Sequence, residues 1–182
     1  ELGFLKNLSG RLVIRNLERV KDKEAAQRAD LFGKPNLYKL EFEWSWDRNG
    51  VMNDKNVLKG LQPHPNLKSL TIRDFMGDRL PSWVMRMEVC IDNSFLRLKN
   101  LMEVKLLHCR NFQEIPTFGH LPFLERLVLD GLHEITSIRS SFYNNGASVG
   151  GQGRTKLFPA LKALILDNMP NLTEWMEADV AS

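Results

Sequence analysis

His108, Cys109 and His120 carry reactive side chains and fall close together in the chain. Imidazole and thiolate are common zinc ligands, and a cysteine beside a histidine is also the nucleus of a nucleophilic site. The spacing fits neither use. Zinc sites draw on ligand pairs separated by about two to five residues, and no second pair is present. A structural role is therefore expected for all three. Cys90 and Cys109 are the only cysteines among 182 residues, too few for a disulfide framework, so a reducing compartment is expected. The stretch Gly146 to Lys156 is glycine-rich and ends Arg154-Thr155-Lys156. It lacks the GxxxxGK[ST] order and the preceding buried strand that a phosphate cradle needs. No GxSxG or HExxH motif occurs, and the acidic residues are scattered rather than paired. The chain reads as a non-enzyme with no catalytic, cofactor-binding or metal-binding residues.

Composition narrows the partners. Lys and Arg number 25 against 22 Asp and Glu, a formal charge of +3. Basic residues are interrupted by acids, as in Lys39, Glu41 and Glu43, so nucleic acid is not expected as the main ligand. No apolar run approaches the roughly 18 residues of a membrane span. Hydrophobic residues at 43% suffice for a packed core. The sequons Asn7-Leu8-Ser9 and Asn171-Leu172-Thr173 point the other way, to an extracellular protein. The chain opens on Glu1 with no basic-then-apolar leader, and it reads as a piece of something longer.

What must position any functional residue is a repeat. Leu37-Tyr38-Lys39-Leu40-Glu41-Phe42 has the pattern LxxLxL with an apolar last member. The pattern returns at Leu67–Ile72, Leu101–Leu106, Leu124–Leu129 and Leu161–Leu166, with a weaker copy around Leu12-Val13-Ile14. The inner alternation puts the apolar members on one face of a short strand. Three residues after each strand an apolar group often returns, at Leu17, Phe75, Cys109, Leu132 and Met169. Leucine-rich repeats behave this way, with asparagine or cysteine favoured at that position; here only Cys109 matches, so a weak asparagine ladder is expected. The intervals between the copies are 28, 30, 34, 23 and 37 residues, against about 20–29 for regular repeats. The expected fold is α/β: an irregular horseshoe of about six repeats over residues 1–182, with parallel strands on the concave face and helices and loops on the convex face. Strands are expected near 11–15, 39–43, 69–73, 103–107, 126–130 and 163–167.

The connections fit that frame. Asp22 caps an expected helix reaching about Leu31, with Ala25, Ala26 and Ala29 inward and Glu24 paired to Arg28. A second short helix is expected from Asp54 to near Gly60. Asp47 to Asn53 reads as an exposed loop, and 144–156 as a mobile insertion. Trp83 and Trp175 are expected to fill the convex core. Trp44 and Trp46 continue the alternation of Phe42 and are expected to extend the core face. The first and last copies are no more polar than the middle ones, so both ends lack caps, and the isolated chain is expected to self-associate or to need flanking sequence.

Side chains that alternate with the core leucines face outward on the concave side. One row is Arg11, Lys39, Ser69, Glu103, Arg126 and Ala163; the next is Val13, Glu41, Thr71, Lys105, Val128 and Ile165; the third is Arg15, Glu43, Arg73, Leu107, Asp130 and Asp167. This mixture of charges, hydroxyls and aliphatics suits a protein partner, and the same residues also fit a plain solvated face.

Several phrases are more specific than the repeat. His64-Pro65-Asn66-Leu67-Lys68-Ser69-Leu70-Thr71-Ile72, running through Gly77 to Leu80-Pro81-Ser82-Trp83, closely resembles a segment of plant nucleotide-binding leucine-rich-repeat immune receptors of the coiled-coil type. Ile14 to Val20 with the following helix is similar to their early repeat. Cys109 to Leu124, with Ile115-Pro116 and Phe118-Gly119-His120-Leu121-Pro122, and Phe158-Pro159-Ala160-Leu161 to Trp175 resemble later ones. The resemblance implies a recognition region that senses a pathogen effector or an altered host protein and restrains, in cis, an upstream switch domain. ADP and ATP are expected on that absent domain; this chain has no P-loop and no Met-His-Asp motif. A cytoplasmic location, with the nucleus or the inner face of the plasma membrane as variants, goes with that reading. An extracellular leucine-rich-repeat ectodomain and the substrate-recognition repeat of a ubiquitin-ligase adaptor stand as alternatives.

Overall fold

Alternating apolar residues in five-residue runs form short strands that bury one face, and stacking the runs closes a core between them. The computed structural model describes residues 2–48, 53–91, 94–143 and 156–177. Strands β1 (Gly10–Ile14), β2 (Leu37–Glu43), β3 (Ser69–Arg73), β6 (Glu103–Leu107), β7 (Arg126–Asp130) and β9 (Ala163–Asp167) make one sheet in that order. Every neighbouring pair is parallel and, apart from a register shift at Gly10 of β1, in step, so Leu40, Leu70, Val104, Leu127 and Leu164 form one inward row. Phe42, Ile72, Leu106 and Leu129 form the next, all fully buried. Leu12, Ile14, Leu164 and Leu166 in the two outermost strands are only partly buried, because each of those strands has a neighbour on one side.

The return segments complete the core. Helix α1 (Lys23–Gln27) packs on α2 (Asp54–Gly60), and α3 (Ser82–Arg86) is tied to α2 by the Trp83 indole N–H, which donates to the Leu58 carbonyl at 2.8 Å. Helix α1 is shorter than the sequence suggests. Asp22 does cap it, accepting from the Ala25 N–H at 2.8 Å, but Asp30 adopts a left-handed φ of 48° and its carboxylate takes the Gly33 N–H instead. The Glu24–Arg28 ion pair does not form among the described residues; both side chains face solvent. After α3 the chain makes an antiparallel hairpin, β4 (Glu88–Ile91) with β5 (Ser94–Arg97), in the stretch where the spacing departs from the repeat. Strands β8 (Ser137–Ile138) and β10 (Glu174–Trp175) pair in parallel away from the main sheet. Residues 144–155 of the expected insertion lie outside the described residues.

Two expectations about tryptophan are corrected. Trp44 is buried, but Trp46 is 74% exposed, because β2 ends at Glu43 and the chain turns before the alternation reaches Trp46. Trp175 is half exposed on β10, its ring N–H donating to the Tyr143 hydroxyl, because β10 pairs only with β8. The expected loop from Asp47 also departs from plain exposure. The Arg48 guanidinium is 8% exposed and grips buried Asp54, which also accepts the Met76 N–H at 3.0 Å. Residues 49–52 of that loop lie outside the described residues.

Five of the six sheet strands, all but β2, leave the sheet through a left-handed residue. Asn16, Asp74, His108 and Asn168 have φ between 48° and 57°, and Gly131 has 70°. Asparagine, aspartate, histidine and glycine tolerate that region best. The N–H of Asp74 donates to Leu107, that of His108 to Asp130 and that of Gly131 to Asp167, so the turns themselves are stacked. At Gly131 a Cβ would come within 2.8 Å of the His108 ring. The following residues Leu17, Phe75, Cys109 and Leu132 then drop into the core.

Candidate protein-interaction face

Strand register decides which outward side chains meet. Arg11, Lys39, Ser69, Glu103, Arg126 and Ala163 lie side by side across the six strands, as do Val13, Glu41, Thr71, Lys105, Val128 and Ile165. Glu43, Arg73, Leu107, Asp130 and Asp167 form the third row, and Arg15, one residue beyond β1, joins it through a 3.2 Å contact to Glu43. Ser69, Thr71 and Leu107 face outward yet are nearly covered, because longer neighbours overhang them.

The charges in the first four strands are paired. Arg11 reaches Glu41 at 2.8 Å, and Arg73 approaches the same carboxylate at 3.9 Å. Glu103 is the hub: Lys105 lies at 2.9 Å, Arg126 at 3.7 Å and Lys39 at 3.8 Å, while the Ser69 hydroxyl donates to it at 3.1 Å. Burial pushes the Glu103 carboxyl up, but the Lys105 hydrogen bond and charge, the Ser69 hydroxyl and Lys39 outweigh it and hold the pKa below its ordinary value.

Toward β9 the face changes character. Val128 and Ile165 stand side by side, with Leu107 beside Asp130 and Asp167. Among the described residues no Lys or Arg pairs with Asp130 or Asp167; His108 lies between Asp74 at 3.5 Å and Asp130 at 3.7 Å. Burial raises the Asp74 pKa, with His108, Arg73 and Arg110 pulling it partly back.

The three reactive residues of the opening motif have separate surroundings. His108 holds the strand exit described above. Cys109 is fully buried, its thiol facing the Leu107 and Ile72 carbonyls, and burial pushes its pKa up to about 12, so it stays a neutral thiol. The His120 pKa is lowered by burial, and neither ring nitrogen has a partner among the described residues. Among the described residues no group of three His, Cys, Asp or Glu side chains is placed to hold a metal ion.

The sequence reading missed the asparagines that fasten one repeat to the next. The Asn66 amide donates to the Pro35 carbonyl at 3.2 Å and Asn100 to Pro65 at 3.1 Å. Asn53, Asn111 and Asn171 make equivalent bonds to Lys21, Met76 and His133. They sit outside the position where the repeat template looks for asparagine. The shared Pro-Asn-Leu at 35–37 and 65–67 was the available signal. At the second sequon, the exposed Asn171 amide donates one of its two N–H groups to the His133 carbonyl at 2.7 Å.

A stacked parallel sheet with apolar returns between its strands defines a leucine-rich-repeat domain. The sequence profile described as R13L1/DRL21 LRRs matches residues 1–132, and the chain belongs to that family. It is 31% identical over 99% of its length to the putative disease resistance RPP13-like protein 1 of Arabidopsis thaliana, covering 17% of that protein. It is 37% identical over 94% of its length to the putative disease resistance protein RGA1 of Solanum bulbocastanum, covering 16% of that protein. The chain thus corresponds to the leucine-rich-repeat region of plant disease-resistance proteins and spans about a sixth of those relatives. The leucine-rich-repeat domain of the type III effector XCV3220 (XopL) aligns over 97% of this chain and 58% of that one, at 19% identity and a TM-score of 0.45. No described helix is long and apolar enough to cross a membrane.

Proposed function

We propose that this chain is the non-catalytic recognition region of an intracellular plant immune receptor, acting in defence against pathogens. Its sheet face takes a protein partner, either a pathogen effector or an altered host protein. The same region restrains, in cis, an upstream domain that switches between ADP and ATP; the nucleotide binds there and not on this chain. The cytoplasm is the proposed compartment. One observation carries the reading: six strands held in register display three continuous rows of unlike side chains, in a chain whose relatives are disease-resistance proteins. A sheet fastened strand to strand presents its outward residues rigidly, which lowers the ordering cost of binding.

A domain exchange tests it. In the parent receptor, residues 1–182 are replaced by the matching segment of a relative with a different pathogen specificity. Recognition measured as cell death in leaf tissue is expected to follow the exchanged segment. Unchanged specificity in a receptor that accumulates normally contradicts the proposal.

A further inference from the structure

In the paired half Arg11, Arg15 and Arg126 stand furthest out, with side chains 48–67% exposed, while Lys39, Arg73 and Lys105 at 28–33% lie level with Glu43 and somewhat above Glu41 and Glu103. Across the first five strands six cations face four carboxylates, Glu41, Glu43, Glu103 and Asp130, an excess of two positive charges. In the middle of this face the short Ser69 and Thr71 of β3 lie covered beneath the longer groups of β2 and β6, so a partner meets the charged side chains there and not the strand beneath.

Each guanidinium has five N–H donors, and the carboxylates beneath engage few of them. The remainder form a planar fork that matches a further carboxylate. The partly buried glutamates fix where those cations stand, so a partner finds them already placed. Interleaved carboxylates work against nucleic acid, whose phosphates present one uniform sign.

We infer that the first five strands of the sheet dock an acidic segment of a protein partner, with an Asp or Glu side chain set between the side chains of Arg73 and Lys105. This rests on the face being the partner surface and names the chemistry of what it takes.

The test measures fluorescence anisotropy of a labelled peptide of alternating glutamate and serine, with a lysine–serine peptide and single-stranded oligothymidylate alongside. The glutamate peptide is expected to bind at low salt and to weaken on raising ionic strength. R73Q/K105Q is expected to weaken it about tenfold. R73K/K105R retains binding, and K162Q, off the face, leaves it unchanged. Circular dichroism confirms folding; should R73Q/K105Q unfold, the more exposed pair R11Q/R126Q gives the same reading. No binding by folded protein, binding indifferent to these changes, or tighter binding of oligothymidylate overturns the inference. A parent receptor whose specificity follows the exchanged segment, with no glutamate-peptide binding here, keeps the recognition reading and rejects the acidic ligand.

Discussion

The two ends of the molecule solve the same packing problem with different chemistry. Around β1 to β3 the outer face is a lattice of ion pairs, and beneath it the buried Arg48–Asp54 pair joins the α2 helix to the turn after β3. Around β7 and β9 the outer face is aliphatic with aspartates at its rim, and beneath it Phe118, Phe142, Tyr143 and Phe158 pack with three contacts edge to face and Phe142–Phe158 tilted, their ring centres 5.2–6.1 Å apart. A repeat fold needs only that each unit cover its neighbour. It does not prescribe polar or apolar means, so one half is free to carry charge to its surface while the other depends on shape.

Phe142→Ala and Asp54→Ala separate the two means, and denaturant unfolding reads both. Each is expected to cost about 3–5 kcal/mol, the first by opening a cavity among the rings, the second by stranding the Arg48 cation. Adding Arg48→Met to Asp54→Ala is expected to recover much of the loss, since it removes the unpaired charge. If Asp54→Ala costs under about 1 kcal/mol, the buried pair does not hold that half together.

A smaller loss tests the ties between repeats. Asn66→Ala removes the bond to the Pro35 carbonyl and is expected to cost about 1 kcal/mol in the same titration. Glu103→Gln is expected to cost up to about 1 kcal/mol at low salt and less at high salt, because its partners are largely exposed. Asp167→Asn, which has no cation partner among the described residues, is expected to stay within about 0.5 kcal/mol. Equal costs for the two would erase the contrast between the faces.

Acid stability sharpens it further, with opposite signs. The pKa of Glu103 is lowered in the folded protein, so its stabilising contribution is present above the usual glutamate value near 4 and is lost as pH falls through the lower folded value. The pKa of Asp74 is raised, so protonation favours the folded form and its contribution grows as pH falls through that higher value. Thermal unfolding between about pH 3 and 6 is expected to show a shallower acid loss for Glu103→Gln and a steeper one for Asp74→Asn.

Much of this architecture was legible in the leucines. Period-two alternation located the six sheet strands, and their common phase placed the outward rows, because register in a half-buried sheet is set by which face must be apolar. The short α1, the β4–β5 hairpin and the fate of Trp46 were not legible. All three are decided by where the backbone turns, and a turn at Asp30, Met87 or beyond Glu43 leaves little mark in hydrophobic pattern. The ion pairs around Glu103 were also hidden. Their residues were each identifiable as outward-facing, and Lys105 follows Glu103 by two on one strand, but only the parallel register brings Lys39 and Arg126 to the same carboxylate.

The central claim, that the outward rows of the sheet are the working surface, is met most directly in the parent receptor. Val128→Arg with Ile165→Arg changes the sheet face without touching the core; Lys55→Glu with Lys162→Glu changes charge elsewhere on the surface. The pathogen-triggered response, scored against protein level, is expected to be lost or redirected with the first pair and kept with the second. A response that survives the sheet pair and falls with the other would contradict the account.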